Sequence, residues 1–171
     1  ETAPGEKFWR DCLDGFTAPT PLVVDELSRA KVTGSRYGEA WRHMDRDTTL
    51  RLRQIADSHA LTMNSLVMGA WAILLYRYSG EEDVVFGATR ACRRSSVAGA
   101  DEIIGILINT VPVRVRLNGQ VPALSVCKDI RRNWLAMRPH EHAPLSLVRG
   151  VSQVPPGQPL FETLLVFENY H

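Results

Sequence analysis

Cysteine is scarce in this chain: Cys12, Cys92 and Cys127 are the only three among 171 residues, and they are widely scattered. No Cys-x-x-Cys pair occurs, so neither a disulfide framework nor a zinc knuckle is indicated, and the usage fits a reducing cytoplasm. Long apolar runs are also missing. The longest, Leu66 to Tyr76, contains Gly69 and falls well short of the roughly 20 residues that a membrane-spanning helix needs. The start, ETAPGEK, has no basic stretch leading into an apolar core, so no signal peptide is expected. Charge of one sign is not in excess. Twenty Lys and Arg against 19 Asp and Glu leave a formal net charge of +1, which gives no global pull toward nucleic acid or an anionic membrane. Internal repeats and low-complexity tracts are absent. So are the P-loop, the G-x-G-x-x-G turn, the G-x-S-x-G elbow and the H-E-x-x-H helix, which disfavours an autonomous kinase, nicotinamide enzyme or hydrolase. The chain also lacks an initiator Met, and its last apolar run stops only at His171, so both ends are expected to have been cut from something longer.

What is present reads as one domain. A hydrophobic share of 44% and a charged share of 23% are those of an ordinary globular chain, long enough to bury a core without staples. Phe8, Trp9, Cys12 and Leu13 share a helical face after Pro4. Thr17 to Gly38 reads as a surface connection with a short extended piece at Leu22–Val24, and Trp41 to Met44 as another short strand. Asp47 is expected to cap a helix carrying Leu52, Ile55, Ala56 and His59. Thr62 or Asn64 then caps an almost wholly apolar helix, Ser65 to Tyr78, ended by Gly80. A strand follows at Asp83–Gly87. The long strand is Ile106 to Leu117, and Pro112 within it points to a sheet edge or a bulge. An amphipathic helix through Leu124, Cys127 and Trp134 stops at Pro139. Leu160 to Phe167, apolar and short, is expected to be a central strand. Helices packed on a mixed sheet, an α/β arrangement, is the predicted architecture.

Three local features carry chemistry. His140-Glu141-His142 has His-x-His spacing but sits between Pro139 and Pro144, so a solvated loop that helps position a helix is expected rather than a metal site. Arg90, Arg93 and Arg94, joined by Arg131 and Arg132, form a basic cluster that is either a solvated face or a docking point for an acidic protein or a phosphate. No aromatic residues are interleaved with it, which argues against single-stranded nucleic acid. Asn109 lies in a run of Ile, Leu and Val, where its amide must find hydrogen bonds. It is either a structural donor tying backbone together or a donor aimed at a reacting carbonyl.

Ile104-Gly105-Ile106-Leu107-Ile108-Asn109-Thr110, continuing as Val111-Pro112-Val113-Arg114-Val115, resembles a motif of nonribosomal peptide synthetase condensation domains. His140 to Leu145 is similar to the loop motif that follows in that family, and Gln158-Pro159-Leu160-Phe161 onward, ending Phe-Glu-Asn-Tyr, to its last motif. Phe8-Trp9-Arg10 with Leu13, Gly15 and Ala18-Pro19 is similar to the linker after the family's catalytic centre. The departures are Leu107 in place of an aromatic residue, Ser146 in place of an acidic one, and no Arg-Asp before Pro159.

The resemblance implies a chloramphenicol-acetyltransferase-like lobe. Residues 1–171 would form a partial condensation domain, mainly its C-terminal lobe, without the final strands and helix. The His-His-x-x-x-Asp-Gly motif of the family does not occur in this sequence, so these residues alone are expected to be inactive. The implied reaction joins a donor acyl and an acceptor aminoacyl thioester as an amide, in a tunnel between two lobes. Each substrate hangs on the phosphopantetheine arm of a carrier protein, with no cofactor bound directly. The implied partners are carrier proteins, an adenylation domain and the N-terminal lobe. Asn109 would be an oxyanion or structural donor, and Arg90, Arg93 and Arg94 a carrier-docking cluster. A non-catalytic docking module, and an epimerising or heterocyclising relative, are the alternatives.

Overall fold

In the computed structural model residues 4–22, 37–92, 99 and 102–168 are described. The central strand, β1 (Asp83–Arg90), begins soon after a helix ends and is apolar on both faces. Val84, Phe86 and Ala88 on one face and Val85 on the other are all at most 1% exposed, as a strand covered on both sides requires. β2 (Asn109–Arg116) lies antiparallel beside it, in register from Asp83 opposite Arg116 to Arg90 opposite Asn109. β3 (Leu164–Leu165) pairs in parallel on the other side, giving the order β2-β1-β3 among the described residues.

Pro112 lies opposite Gly87 on that ladder. Gly87 donates its N–H the other way, to the Thr163 carbonyl at 2.8 Å, so this pair falls at a non-bonded step of the β1/β2 ladder. The missing N–H of Pro112 therefore lies on the outer edge, where no ladder bond is lost. Gly87 is needed for a separate reason. A Cβ there would sit 2.7 Å from Cζ and 2.9 Å from Cδ2 of Phe161, which covers the strand at that point.

Helices cover both faces of the sheet. α1 (Pro4–Leu13) is followed by α2 (Arg46–Ser58), α3 (Met63–Ser79), α4 (Ala123–Ala136) and α5 (Leu145–Gly150), with a 3₁₀ turn at Arg138–His140. One face packs Met68, Ala72 and Leu75 of α3 and Val126 and Ile130 of α4 on Phe86, Val113 and Val115. The other packs Trp9 and Leu13 of α1, with Phe16, Met137, Val148 and Leu160, on Val85, and Val111 joins this cluster although it pairs with Ala88 on the ladder. Arg114 ties α1 to the second face. It reaches Asp83 at 2.6 Å and donates to the Cys12 and Asp14 carbonyls at 3.1 and 2.7 Å, beside the Phe16 ring.

Local signals explain the helix ends. Thr62 and Ser65 exchange the reciprocal bonds of a capping box, and Gly80 stops α3 in the left-handed region at φ 77°. Asp45, not Asp47, caps α2. Its carboxylate accepts from the Thr48 N–H at 2.7 Å and from the Thr48 hydroxyl, which holds its pKa below the usual carboxylate value.

Several expectations need correction. The long strand is shorter than predicted, because Ile104, Ile106 and Ile108 are exposed and only Asn109 onward meets β1. The run Leu160 to Phe167 gives a two-residue strand beside β1 rather than a central one, since only Leu164 and Leu165 find ladder partners. Trp41 to Met44 is irregular and exposed, while Val23 and Val24 lie outside the described residues. The first strand runs on to Arg90. No single described helix is long and apolar enough to cross a membrane; α2 and α3 pass only as a pair broken by a 102° bend.

Candidate functional site

The site is built where β1 and β2 end together. Arg90 and Asn109 are the last pair on their ladder, and both reach for one residue, Glu141. Arg90 donates from Nε to the Glu141 carboxylate and from Nη1 to the Trp134 carbonyl at 2.8 Å. Its guanidinium also lies 4.1 Å over the Trp134 ring, a cation–π contact. Both charged side chains are inside, 9% exposed for Arg90 and 4% for Glu141. Burial draws the Arg90 pKa below its ordinary value, and the Glu141 carboxylate partly offsets that.

Asn109 works on the main chain of the same segment. Its Nδ2 donates to the Glu141 carbonyl at 2.7 Å and to the Ala143 carbonyl at 2.9 Å, while its Oδ1 accepts from the Thr110 N–H. Both amide hydrogens are thereby engaged by buried carbonyls. In this arrangement both hydrogens of the Asn109 amide are used on main-chain carbonyls of the 140–143 segment.

The same segment is held from α1. Trp9 donates from Nε1 to the His140 carbonyl at 3.2 Å, and the Phe8 ring stacks on the His140 imidazole at 4.3 Å. Desolvation, and then the nearby His142, lower the His140 pKa. The expected solvated loop is thus corrected at its centre: Glu141 is 3% exposed, although His142 on its other side faces solvent. Among the described residues no group of three or more His, Cys, Asp or Glu is placed to hold a metal. Cys92 completes the cluster. It adopts φ 50°, rare for a side-chain-bearing residue, and its thiol lies 3.6 Å from both the Arg90 and Glu141 carbonyls. Burial, and then the Glu141 charge, push its thiol pKa up.

Only part of the basic cluster lies among the described residues. Arg90 is turned inward and committed to Glu141, Arg132 pairs with Asp129 on its own helix, and Arg93 and Arg94 lie outside the described residues. Sequence reading named Glu141 only as the middle of the His-x-His feature and did not mark it as buried or paired. The available signal was Arg90 closing a strand of buried residues, since a guanidinium brought inside requires an acid. Elsewhere, a cleft of about 490 Å³ opens between α1 and α4 beside β2, over Cys12, Val115 and Ile130.

The amide's geometry gives a ranked expectation. Asn109→Ala leaves the buried Ala143 carbonyl without its donor and the Glu141 carbonyl with only the Cys92 thiol at 3.6 Å, at a cost of about 1–3 kcal/mol for each lost bond. Asn109→Asp is expected to lose more than that, because it sets a carboxylate oxygen against both carbonyls. Urea midpoints in the order wild type, Ala, Asp, with Asp lowest, check it.

The family model described as Condensation domain matches residues 3–171. The chain is 41% identical over 165 residues to part of the linear gramicidin synthase of Brevibacillus parabrevis, in one of its subunits, covering 96% of this chain and 3% of that protein. It is 37% identical over 166 residues to chondramide synthase cmdD of Chondromyces crocatus, covering 96% of this chain and 4% of that protein. Among solved structures it resembles the first condensation domain of the CDA synthetase, with a TM-score of 0.75 at 16% identity, over 97% of this chain and 35% of that one. The X-domain from teicoplanin biosynthesis is similar at a TM-score of 0.70 and 24% identity, over 94% and 36% of the respective chains. The mixed sheet with helices on both faces is thus the fold that the resemblance implied. This chain belongs to the condensation-domain family.

Proposed function

We propose that the protein carrying this chain forms amide bonds in nonribosomal peptide synthesis, joining a donor acyl thioester to the amine of an acceptor aminoacyl thioester. The observation that carries this reading is the family match over residues 3–171, joined by relatives named as gramicidin and chondramide synthases. The substrates arrive on phosphopantetheine arms of carrier proteins beside an adenylation domain in the cytoplasm, and no cofactor binds this chain directly. Residues 1–171 supply part of the domain, mainly the C-terminal lobe. Asn109 serves there as the donor that fixes one wall. The histidine motif of the family does not occur in the sequence, so these residues act only together with an N-terminal lobe.

The test supplies both loaded carriers to the 171-residue chain and to a protein with the complete domain. Amide product is expected from the second and none from the first. No product from the complete domain, or product from the chain alone, overturns the reading.

Carrier docking falls to Arg93 and Arg94, with Arg90 engaged inside. Arg93→Glu and Arg94→Glu are expected to weaken carrier binding at low salt, with the difference from wild type shrinking as salt rises. Equal affinities in a salt titration would remove these residues from the docking surface.

A further inference from the structure

Glu141 is gripped by two strands at once. Arg90 takes its carboxylate and Asn109 its carbonyl, and these two residues stand directly opposite each other on the β1/β2 ladder. The second Asn109 hydrogen fixes the Ala143 carbonyl two residues further on, and Trp9 fixes the His140 carbonyl one residue before. Four hydrogen bonds from three side chains therefore lock residues 140–143 against the sheet end. Arg90 itself has little freedom. Its Nε is spent on Glu141, its Nη1 on the Trp134 carbonyl, and its plane on the Trp134 ring. A planar fork held at three points fixes direction as well as distance, which a flexible ammonium cannot do.

A buried ion pair is a poor device for stability, because an apolar pair of similar volume usually serves the fold as well or better. In some proteins such a pair instead fixes one geometry.

We infer that Arg90 and Glu141 are positioning residues: acting through the Asn109 amide, their ion pair sets where the 140–143 backbone stands in the condensation site. The inference rests on the amide-forming reading above. The clamp is assembled from side chains on β1, on β2 and in the loop, and it keeps Asn109 in one orientation while the chain turns away from β1 at Cys92.

The experiment uses a protein with the complete domain and loaded carriers, and three variants: Arg90→Met, Glu141→Gln, and Arg90→Met with Glu141→Leu. Turnover, KM for each carrier, the thermal midpoint, and hydrogen exchange of the Asn109 side-chain amide in asparagine-labelled protein are read together. Each single variant is expected to lower turnover roughly tenfold or more, as a misplaced site does, with KM little changed. Each also speeds exchange at the Asn109 amide. The double variant, with neither charge left buried, regains its thermal midpoint but not its turnover. If turnover recovers along with the midpoint, the pair is merely structural and the inference fails. It fails equally if the single variants leave Asn109 exchange as slow as in wild type. The exchange measurement needs no reaction, so a protein that makes no amide would sink the functional reading while the clamp is judged by exchange alone.

Discussion

Glu141→Ala is expected to lower stability by about 3–5 kcal/mol, because it strands a guanidinium inside the protein. Arg90 cannot swing out to water to escape. Its side chain is 9% exposed, lies over Trp134 and is tied to the Trp134 carbonyl. The contrast within the same chain is Lys7 with Asp11, whose side chains are 74% and 63% exposed. Breaking that pair should change stability by at most about 1 kcal/mol, since water replaces the partner. Urea denaturation of Glu141→Ala and Asp11→Ala side by side makes the comparison. A loss for Glu141→Ala as small as that for Asp11→Ala would mean that Arg90 finds solvent or another acid, and the description of a committed pair would be wrong.

How legible this was in the sequence depends on the range of the interaction. α1, α3 and α4 announce themselves through apolar spacing, and Thr62 and Gly80 bracket α3 as capping chemistry predicts. Those signals act within a few residues, which a sequence shows directly. The sheet was partly visible. The apolar run before Asn109 looks like strand, yet pairing ends where β1 ends, and Ile106 and Ile108 are left exposed. Strand length is set by the partner, and the partner lies 19 residues from Asn109 along the chain at Arg90. The same limit explains Leu160 to Phe167, whose apolarity indicated burial but whose pairing with Gly87 and Ala88 lasts two residues.

The site shows the limit most clearly. Asn109 was identifiable because an amide among Ile, Leu and Val must be satisfied, but what satisfies it is a carbonyl 32 residues away. Glu141 looked like one more polar residue between two histidines in a proline-bracketed loop. Nothing local marks it as buried. Only the meeting of strand end, loop and α4 end turns a surface-type residue into an interior one, with Arg90 drawn from the basic cluster to match it. The family motifs indicated which segments matter, and the bonds that Arg90, Asn109 and Trp9 make to residues 140–143 are the reason these segments meet.

Trp9→Ala carries the second large expected effect, about 3–5 kcal/mol from the emptied volume alone. Trp9 is fully buried and sits among Leu13, Phe16, Met137, Val148 and Leu160 under the second face of the sheet. It also meets the Phe8 ring edge-on at 5.2 Å and holds the His140 carbonyl through Nε1. Truncation therefore opens a cavity and releases one of the loop's anchors in a single step. Trp9→Phe separates the two effects. It keeps most of the apolar contact and loses the donor, so a smaller loss is expected, on the order of 1–3 kcal/mol for the unpaired carbonyl and the volume change. α1 has only 10 residues, too few to persist without its packing, so its amides should lose protection against hydrogen exchange in the Ala variant before the rest of the protein unfolds. Uniform loss of protection across α1 and β1 at the same denaturant concentration would show instead that α1 is integral to the one cooperative core rather than docked upon it.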